Sequence, residues 1–143
     1  MLCIDSIPGL RDRFAVVADW GRLLRKGGRL VFTDPFVMTG AVAKGEINDR
    51  AALNSNAFFV PPGVNEDAVR GAGLTLAARE DRAAAVAQIG SRWHAARLRR
   101  AAALKAIEGE EWFDRRQLML KTSAELAESR RLSRFLYLAE KPS

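Results

Sequence analysis

The chain has one cysteine and one histidine in 143 residues, and each scarcity removes a class of chemistry. A lone Cys3 cannot close an internal disulfide, which suits a reducing compartment and reads as a cytoplasmic protein. Cys3 also sits in an apolar run, where a buried small side chain is the plainer alternative to a nucleophile. His94 has no second histidine, cysteine or carboxylate at metal-ligand spacing, so no metal site is expected. No apolar run approaches the roughly 20 residues of a membrane span. The opening Met1-Leu2-Cys3-Ile4-Asp5 has no basic leader followed by a long apolar stretch, so no secretory signal is expected. Zinc-finger spacing and RNA-binding signatures are absent as well.

What is there is a soluble composition, 48% hydrophobic and 28% charged, in a length suited to one domain with one core. Lysine and arginine number 23 against 17 acidic residues, a formal net charge of +6. Arginines cluster at Arg97, Arg99 and Arg100 and again at Arg130, Arg131 and Arg134. Such clusters raise a nucleic-acid surface. Interspersed acids, and aromatics that do not alternate with the basic positions, favour a solvated helix face instead, and no nucleic-acid partner is expected.

Along the chain, Leu2 to Ile7 reads as a strand ending in Asp5 and Ser6, followed by the turn residues Pro8-Gly9. A helix is predicted from about Asp12 to Arg25, with Val16, Val17, Trp20, Leu23 and Leu24 on one face and Gly27-Gly28 as its stop. Arg29 to Thr33 runs apolar without alternation, the pattern of a strand buried on both faces. From Phe36 to Gly63 the pattern loosens around Gly40, Gly45, Asn54, Asn56 and Pro61-Pro62, with a short helix near Glu46 to Leu53. This stretch is long for a connection and reads as a lid or substrate loop. Asn65 is placed to cap a helix through Gly71, and Leu74 to Ala78 follows as a strand. A long helical region opens at Asp81 or Arg82, with Val86, Ile89, Trp93, Ala96, Arg100, Ala103 and Ile107 as its stripe. A second helix, Glu110 to Ser129, carries Phe113, Gln117, Leu120, Ala124 and Ala127 inward, and Arg134 to Glu140 is a final strand.

This order is that of a single α/β domain over 1–143, with a right-handed crossover between the first two strands and residues 83–130 as a helical insertion. Ligands in such sheets bind beyond the carboxyl ends of the strands. The rule singles out Asp5-Ser6, Thr33-Asp34 and Arg79 to Asp81. Each has a plain alternative. Asp5 and Ser6 are equally a turn carboxylate and a cap. Asp34 before Pro35 is a common turn opener as well as a group that could orient an amine or hydroxyl nucleophile. Asn65 and Glu66 suit helix capping, and Trp93 with Arg97, one turn apart, suits either a substrate pocket or a core tryptophan with a stacked arginine. The pair Gly27-Gly28 precedes a strand, so it is a helix stop and not a phosphate cradle.

Cys3 to Ile7, Arg11-Asp12-Arg13, Trp20 to Arg25 and Gly27-Gly28-Arg29-Leu30-Val31-Phe32-Thr33-Asp34-Pro35 together resemble the C-terminal half of class I S-adenosylmethionine-dependent methyltransferases. Val60-Pro61-Pro62-Gly63, Asn65-Glu66, Ala72-Gly73, Arg92-Trp93, Glu108-Gly109 and Arg131 to Phe135 resemble a small-molecule subgroup of them. The resemblance implies a partial Rossmann-like sheet of about four strands, the fourth to seventh of the family, with the last antiparallel. In that family a glycine-rich loop after the first strand holds the methionine part of S-adenosylmethionine and an acid ending the second strand holds its ribose. Neither has a counterpart in this sequence. Lys26 stands where relatives carry proline, and Gly9 where many carry histidine.

The resemblance implies a truncated or split methyltransferase acting on a small molecule, weak or inactive alone. Asp5 and Ser6 would face the cofactor, Asp34 would serve catalysis, and Thr33, Asn65, Glu66, Asp81, Trp93 and Arg97 would hold the methyl acceptor. An exposed first strand predicts a homodimer, or a partner chain supplying the N-terminal half. The alternative is a non-enzymatic interaction module that keeps the half-fold and binds through the helices from Ala83 to Ser129.

Overall fold

The computed structural model describes residues 1–53 and 57–143. Asn54 and Asn56, read above as part of the loop, lie outside the described residues. Four strands form one sheet: β1 (Leu2–Cys3), β2 (Arg29–Met38), β3 (Thr75–Asp81) and β4 (Leu132–Glu140). Their spatial order is β1-β2-β4-β3, with β1 parallel to β2 and β4 antiparallel to both β2 and β3. Among the described residues six α-helices accompany them: α1 (Arg13–Leu23), α2 (Lys44–Arg50), α3 (Val64–Gly71), α4 (Ala83–Leu98), α5 (Ala101–Glu108) and α6 (Glu110–Glu128). The expected α/β half-sheet with an antiparallel last strand is the one observed.

The first core lies between the sheet and α1 and α3. Leu30 and Phe32 of β2 and Phe135, Tyr137 and Ala139 of β4 alternate onto this face, against Val17 and Val69. Phe32 stacks on Tyr137 at 4.7 Å and meets Trp20 at 6.0 Å. Tyr137 is the only tyrosine in the chain. Burial drives its phenol pKa well above the ordinary value of about 10, partly offset by the hydrogen bond from Asn65. A raised phenol pKa means that the fold favours the neutral ring. That contribution is complete below about pH 10 and is lost as pH rises beyond the unfolded value. Tyrosinate absorbance, followed through an alkaline titration, should therefore lag behind free tyrosine and then rise together with the loss of helical circular dichroism. Titration at the free-tyrosine midpoint with the fold intact would refute this.

Several predicted boundaries are corrected. β1 ends at Cys3, not Ile7, because Asp5 takes a left-handed φ of 52° and Ile7–Gly9 close a 3-10 turn that buries Ile7 and Pro8. β2 continues five residues past Thr33, through Pro35. It does so by a bulge between Asp34 and Val37, where proline leaves no ladder donor orphaned. The Asp34 Oδ1 atom accepts the Phe36 amide at 2.9 Å and holds the bend. Phe36, Val37 and Met38 are therefore strand and not lid, and Val60 returns to pair with them (Met38 N to Val60 O, 2.8 Å).

Asp12, outside α1, caps it by accepting the Ala15 amide at 2.9 Å. The helix buries Arg13, Val17 and Gly21, while Leu23, expected on the inner face, is exposed. Gly27 takes φ 70° to turn the chain into β2, and its amide and the Gly28 carbonyl both bond Lys141 at 2.9 Å. Asn65 is the second residue of α3 and not its cap; Glu66 does the capping work by accepting the Gly63 amide at 3.1 Å.

The single helix predicted through Ile107 is two, broken at Arg99–Arg100 without glycine or proline. The break lets α5 fold back on α6, where Glu108 pairs with Arg97 of α4. The predicted stripe is also rotated: Ile89, Trp93 and Ile107 are exposed, and α4 instead buries Ala83 and Gly90. Gly90 lies where a Cβ would stand 3.2 Å from the Ala124 Cβ and 3.3 Å from the Leu120 carbonyl, so its missing side chain sets the close crossing of α4 over α6. The inward face predicted for α6, with Phe113, Gln117, Leu120, Ala124 and Ala127, is buried as expected.

Candidate functional site

The sheet splits the candidate residues between its two faces. Asp34, Asn65 and Glu66 lie on the α1/α3 face, and Asp5, Thr33, Trp93 and Arg97 lie with α4 and α6. On the first face Asp34 is fully buried and its Oδ2 is ion-paired with Arg13, itself buried. Asn65 bridges the two: Nδ2 donates to Asp34 Oδ2 at 2.8 Å, Oδ1 accepts from Arg13 Nη1 at 3.1 Å, and Nδ2 also reaches the Tyr137 hydroxyl at 3.3 Å. Arg13 Nη2 donates to the Phe58 carbonyl at 2.6 Å. Both Asp34 oxygens are thereby engaged by protein donors. This polar network ties α1, α3, the bulge of β2 and the Phe58 segment together, with Arg13 Nε its one buried donor lacking a partner among the described residues. Glu66 accepts from Arg79 Nη1 at 2.8 Å, and that contact raises the Arg79 pKa.

On the second face, the chain leaves β1 at Asp5 in the left-handed conformation that aspartate tolerates. The Thr33 hydroxyl fixes it twice, accepting the Asp5 amide at 2.9 Å and donating to Asp5 Oδ1 at 2.6 Å. Asp5 Oδ2 pairs with Arg134 Nη2 at 3.0 Å. Ser6 turns away, its exposed hydroxyl donating to the Ile4 carbonyl at 3.1 Å. Asp81 accepts the Ala83 amide at 2.8 Å and so anchors the start of α4.

Asp5 and Arg134 form one end of a cleft of about 400 Å³, within the range of small-molecule sites. Phe36, Arg50, Ile89, Trp93, Met119 and Leu120 line the rest of it. A second cavity of about 480 Å³ shares Leu53, Trp93, Met119 and Leu120 and continues to Arg97 and Arg116. A smaller one of about 220 Å³ brings Thr33, Val86 and Arg134 to the same region. The result is a trough that starts at the carboxyl ends of β1 and of the β2 stretch paired with it, and runs along the α4/α6 surface.

Trp93 is exposed on this trough and is not a core residue with a stacked arginine. Arg97 lies instead over the Phe113 ring, 5.1 Å from its centroid, and pairs with Glu108 and Gln117. Of the two basic clusters, Arg97, Arg130, Arg131 and Arg134 have carboxylate partners: Glu108, Asp81, Glu46 and Asp5. Among the described residues no group of three or more His, Cys, Asp or Glu is placed to hold a metal ion. No helix described is long and apolar enough to cross a membrane.

Sequence reasoning missed Arg13, whose signal was available: a basic residue opening a helix in a chain with a buried aspartate at a strand end. It also missed Arg50. That residue sits in the last turn of the short α2, with its guanidinium 4.3 Å from the centre of the Phe36 ring. Nothing in the pattern around Arg50 distinguishes it from a solvated helix arginine.

No protein-family model matches this sequence, and no curated protein matches it. Solved structures do. A Galdieria sulphuraria protein assigned as a sarcosine dimethylglycine methyltransferase superposes with a TM-score of 0.82 at 18% identity, over 99% of this chain and 52% of its own. Phosphoethanolamine N-methyltransferase 2 of Haemonchus contortus, solved with phosphomonomethylethanolamine and S-adenosylhomocysteine, gives 0.85 at 14% identity over 99% of this chain and 33% of its own. The cyclopropane synthase MmaA2 of Mycobacterium tuberculosis gives 0.82 at 16% identity over 98% and 54%. Over the length it spans, the chain thus shares the fold of these methyltransferase structures, of which it covers about half or less.

Proposed function

We propose that this chain is the acceptor-side half of an S-adenosylmethionine-dependent methyltransferase for a small molecule. The observation that carries the reading is the trough at the carboxyl ends of β1 and β2, floored by the Asp5–Thr33 pair, in a fold whose ligands bind at that end of the strands. Methyl transfer from a sulfonium needs alignment and water exclusion more than a fixed set of acids and bases. The apolar walls of Phe36, Ile89, Trp93 and Met119 suit both tasks.

The donor side is different. Both Asp5 oxygens are already engaged by Thr33 and Arg134, and Gly27-Gly28 are bonded to Lys141 at the entry to a strand. On this reading the described residues offer no S-adenosylmethionine site of their own. Strand β1 has a free edge with Leu2 68% and Ile4 47% exposed beside it. Such an edge favours pairing with a further strand. On this reading the pairing segment belongs to a second copy or to a polypeptide that supplies the cofactor half.

Calorimetric titration of S-adenosylmethionine into the purified chain, with its mass followed by light scattering, tests the proposal. A self-associated or partner-bound chain without saturable cofactor heat is expected. A stable monomer that binds the cofactor one-to-one at micromolar concentration would overturn the half-site reading.

A further inference from the structure

Among the described residues, one end of the trough carries a positive charge beyond what its acids pair. Arg134 and Asp5 satisfy one another at 3.0 Å, and Thr33 occupies the second Asp5 oxygen. Arg50 lines the same end, and among the described residues it makes no hydrogen bond and no ion pair. Its guanidinium is half-buried and rests on Phe36, a contact that fixes its plane without using its N–H donors. Burial draws its pKa down to about 10, opposed by the charge of Asp5, so it stays protonated throughout the neutral range. A guanidinium in this state calls for one anionic partner with two coplanar acceptor oxygens. From there the walls become apolar through Leu53, Ile89, Trp93, Met119 and Leu120, of which Ile89 and Trp93 remain exposed.

We infer that the trough binds an amphiphilic monoanion, with a carboxylate on Arg50 and an apolar chain lying along Ile89, Trp93 and Met119. The inference rests on the acceptor-side reading above and names the class of acceptor that it would take. Neutralising Arg50 supplies the head-group energy, and covering Trp93 supplies the tail's.

The test is calorimetric titration of sodium decanoate, and separately of decyltrimethylammonium, below their micelle concentrations and without any methyl donor. Decanoate should bind saturably and at least about tenfold more tightly than the cation of equal tail length, the margin of one charge-assisted contact. Arg50→Gln should remove that margin, Arg50→Lys should keep part of it, and Trp93→Ala should weaken both probes alike. Thermal melts of each variant by circular dichroism separate lost binding from lost folding, and the exposed Trp93 supplies a variant expected to fold in any case. Equal binding of the two head groups, or a margin that survives Arg50→Gln, would overturn the inference. Because no cofactor is present, absence of methyl transfer leaves this result standing. A failure here in turn leaves the methyltransferase reading to its own test.

Discussion

Replacing Arg13 by methionine should destabilise the protein by about 3–5 kcal/mol, the cost of stranding a buried carboxylate that has lost its cation. Asp34 is fully buried, and its remaining donors would be Asn65 Nδ2 and the Phe36 amide, neither of which carries charge. The same change deletes the bond to the Phe58 carbonyl and so loosens the segment that returns from α2 to the sheet. Against a total stability of about 5–15 kcal/mol, this loss removes a large share of the margin while leaving a folded population to titrate. Urea unfolding followed by far-ultraviolet circular dichroism would show the midpoint fall. The double variant Arg13→Met with Asp34→Leu should recover a large part of the loss, because an ion pair replaced as a unit leaves no orphaned charge. A single variant as stable as the parent would mean that the Arg13–Asp34 pair does not hold these elements together.

Phe32→Ala should cost a similar amount, about 3–5 kcal/mol, for a different reason. Phe32 has no exposed surface and sits between the Tyr137 and Trp20 rings, so truncation leaves a cavity that three elements enclose. Tyr137 would lose its stacking partner while remaining bonded to Asn65, and relaxation into the space would strain that network. Phe14→Ala is the matched control. Its ring lies on α1 with half its surface in water, and its loss should change stability by no more than about 0.5 kcal/mol. Comparable losses at the two sites in the same urea series would contradict the placement of the core on the α1/α3 face.

These two residues also show why parts of the molecule were readable and parts were not. Phe32 lies in a continuous apolar run closed by Gly27-Gly28, and both signals act over neighbouring residues, so the strand and its burial followed directly. The continuation of β2 through Pro35 did not, because it depends on Asp34 turning back to bond Phe36 and on Val60 arriving from two dozen residues later. Asp34 was recognised as a strand-end carboxylate, yet which face it points to is set by the pleat and by a guanidinium from α1. Asn65 and Glu66 were singled out together and divide their work: one joins the buried network, the other caps α3 and pairs with Arg79. On α4 the spacing of large apolar residues places Ile89 and Trp93 on one stripe, and it leaves Trp93 open between a core position and a substrate pocket. Gly90 decides this, since the closest helix crossing forms where a side chain is missing and turns the bulky stripe toward the trough. Periodicity reports where large side chains are, and here contact is made by small ones.

The sheet order bears on how the chain is made. β2 is hydrogen-bonded to β4 along most of its length, and the pair Arg29 and Glu140 is separated by 111 positions. Lys141 then fastens the end of α1 by donating to the Gly21 and Leu24 carbonyls at 2.8 Å each. During synthesis β2 is made well before β4, so the pairing of the two must wait until Leu132 to Glu140 have followed. At roughly 5–20 residues per second this interval lasts several seconds, time enough for an unpaired strand to meet another chain. Folding to this topology is consequently a late, nearly all-at-once event, and nascent chains arrested before Leu132 should depend on chaperones to stay apart.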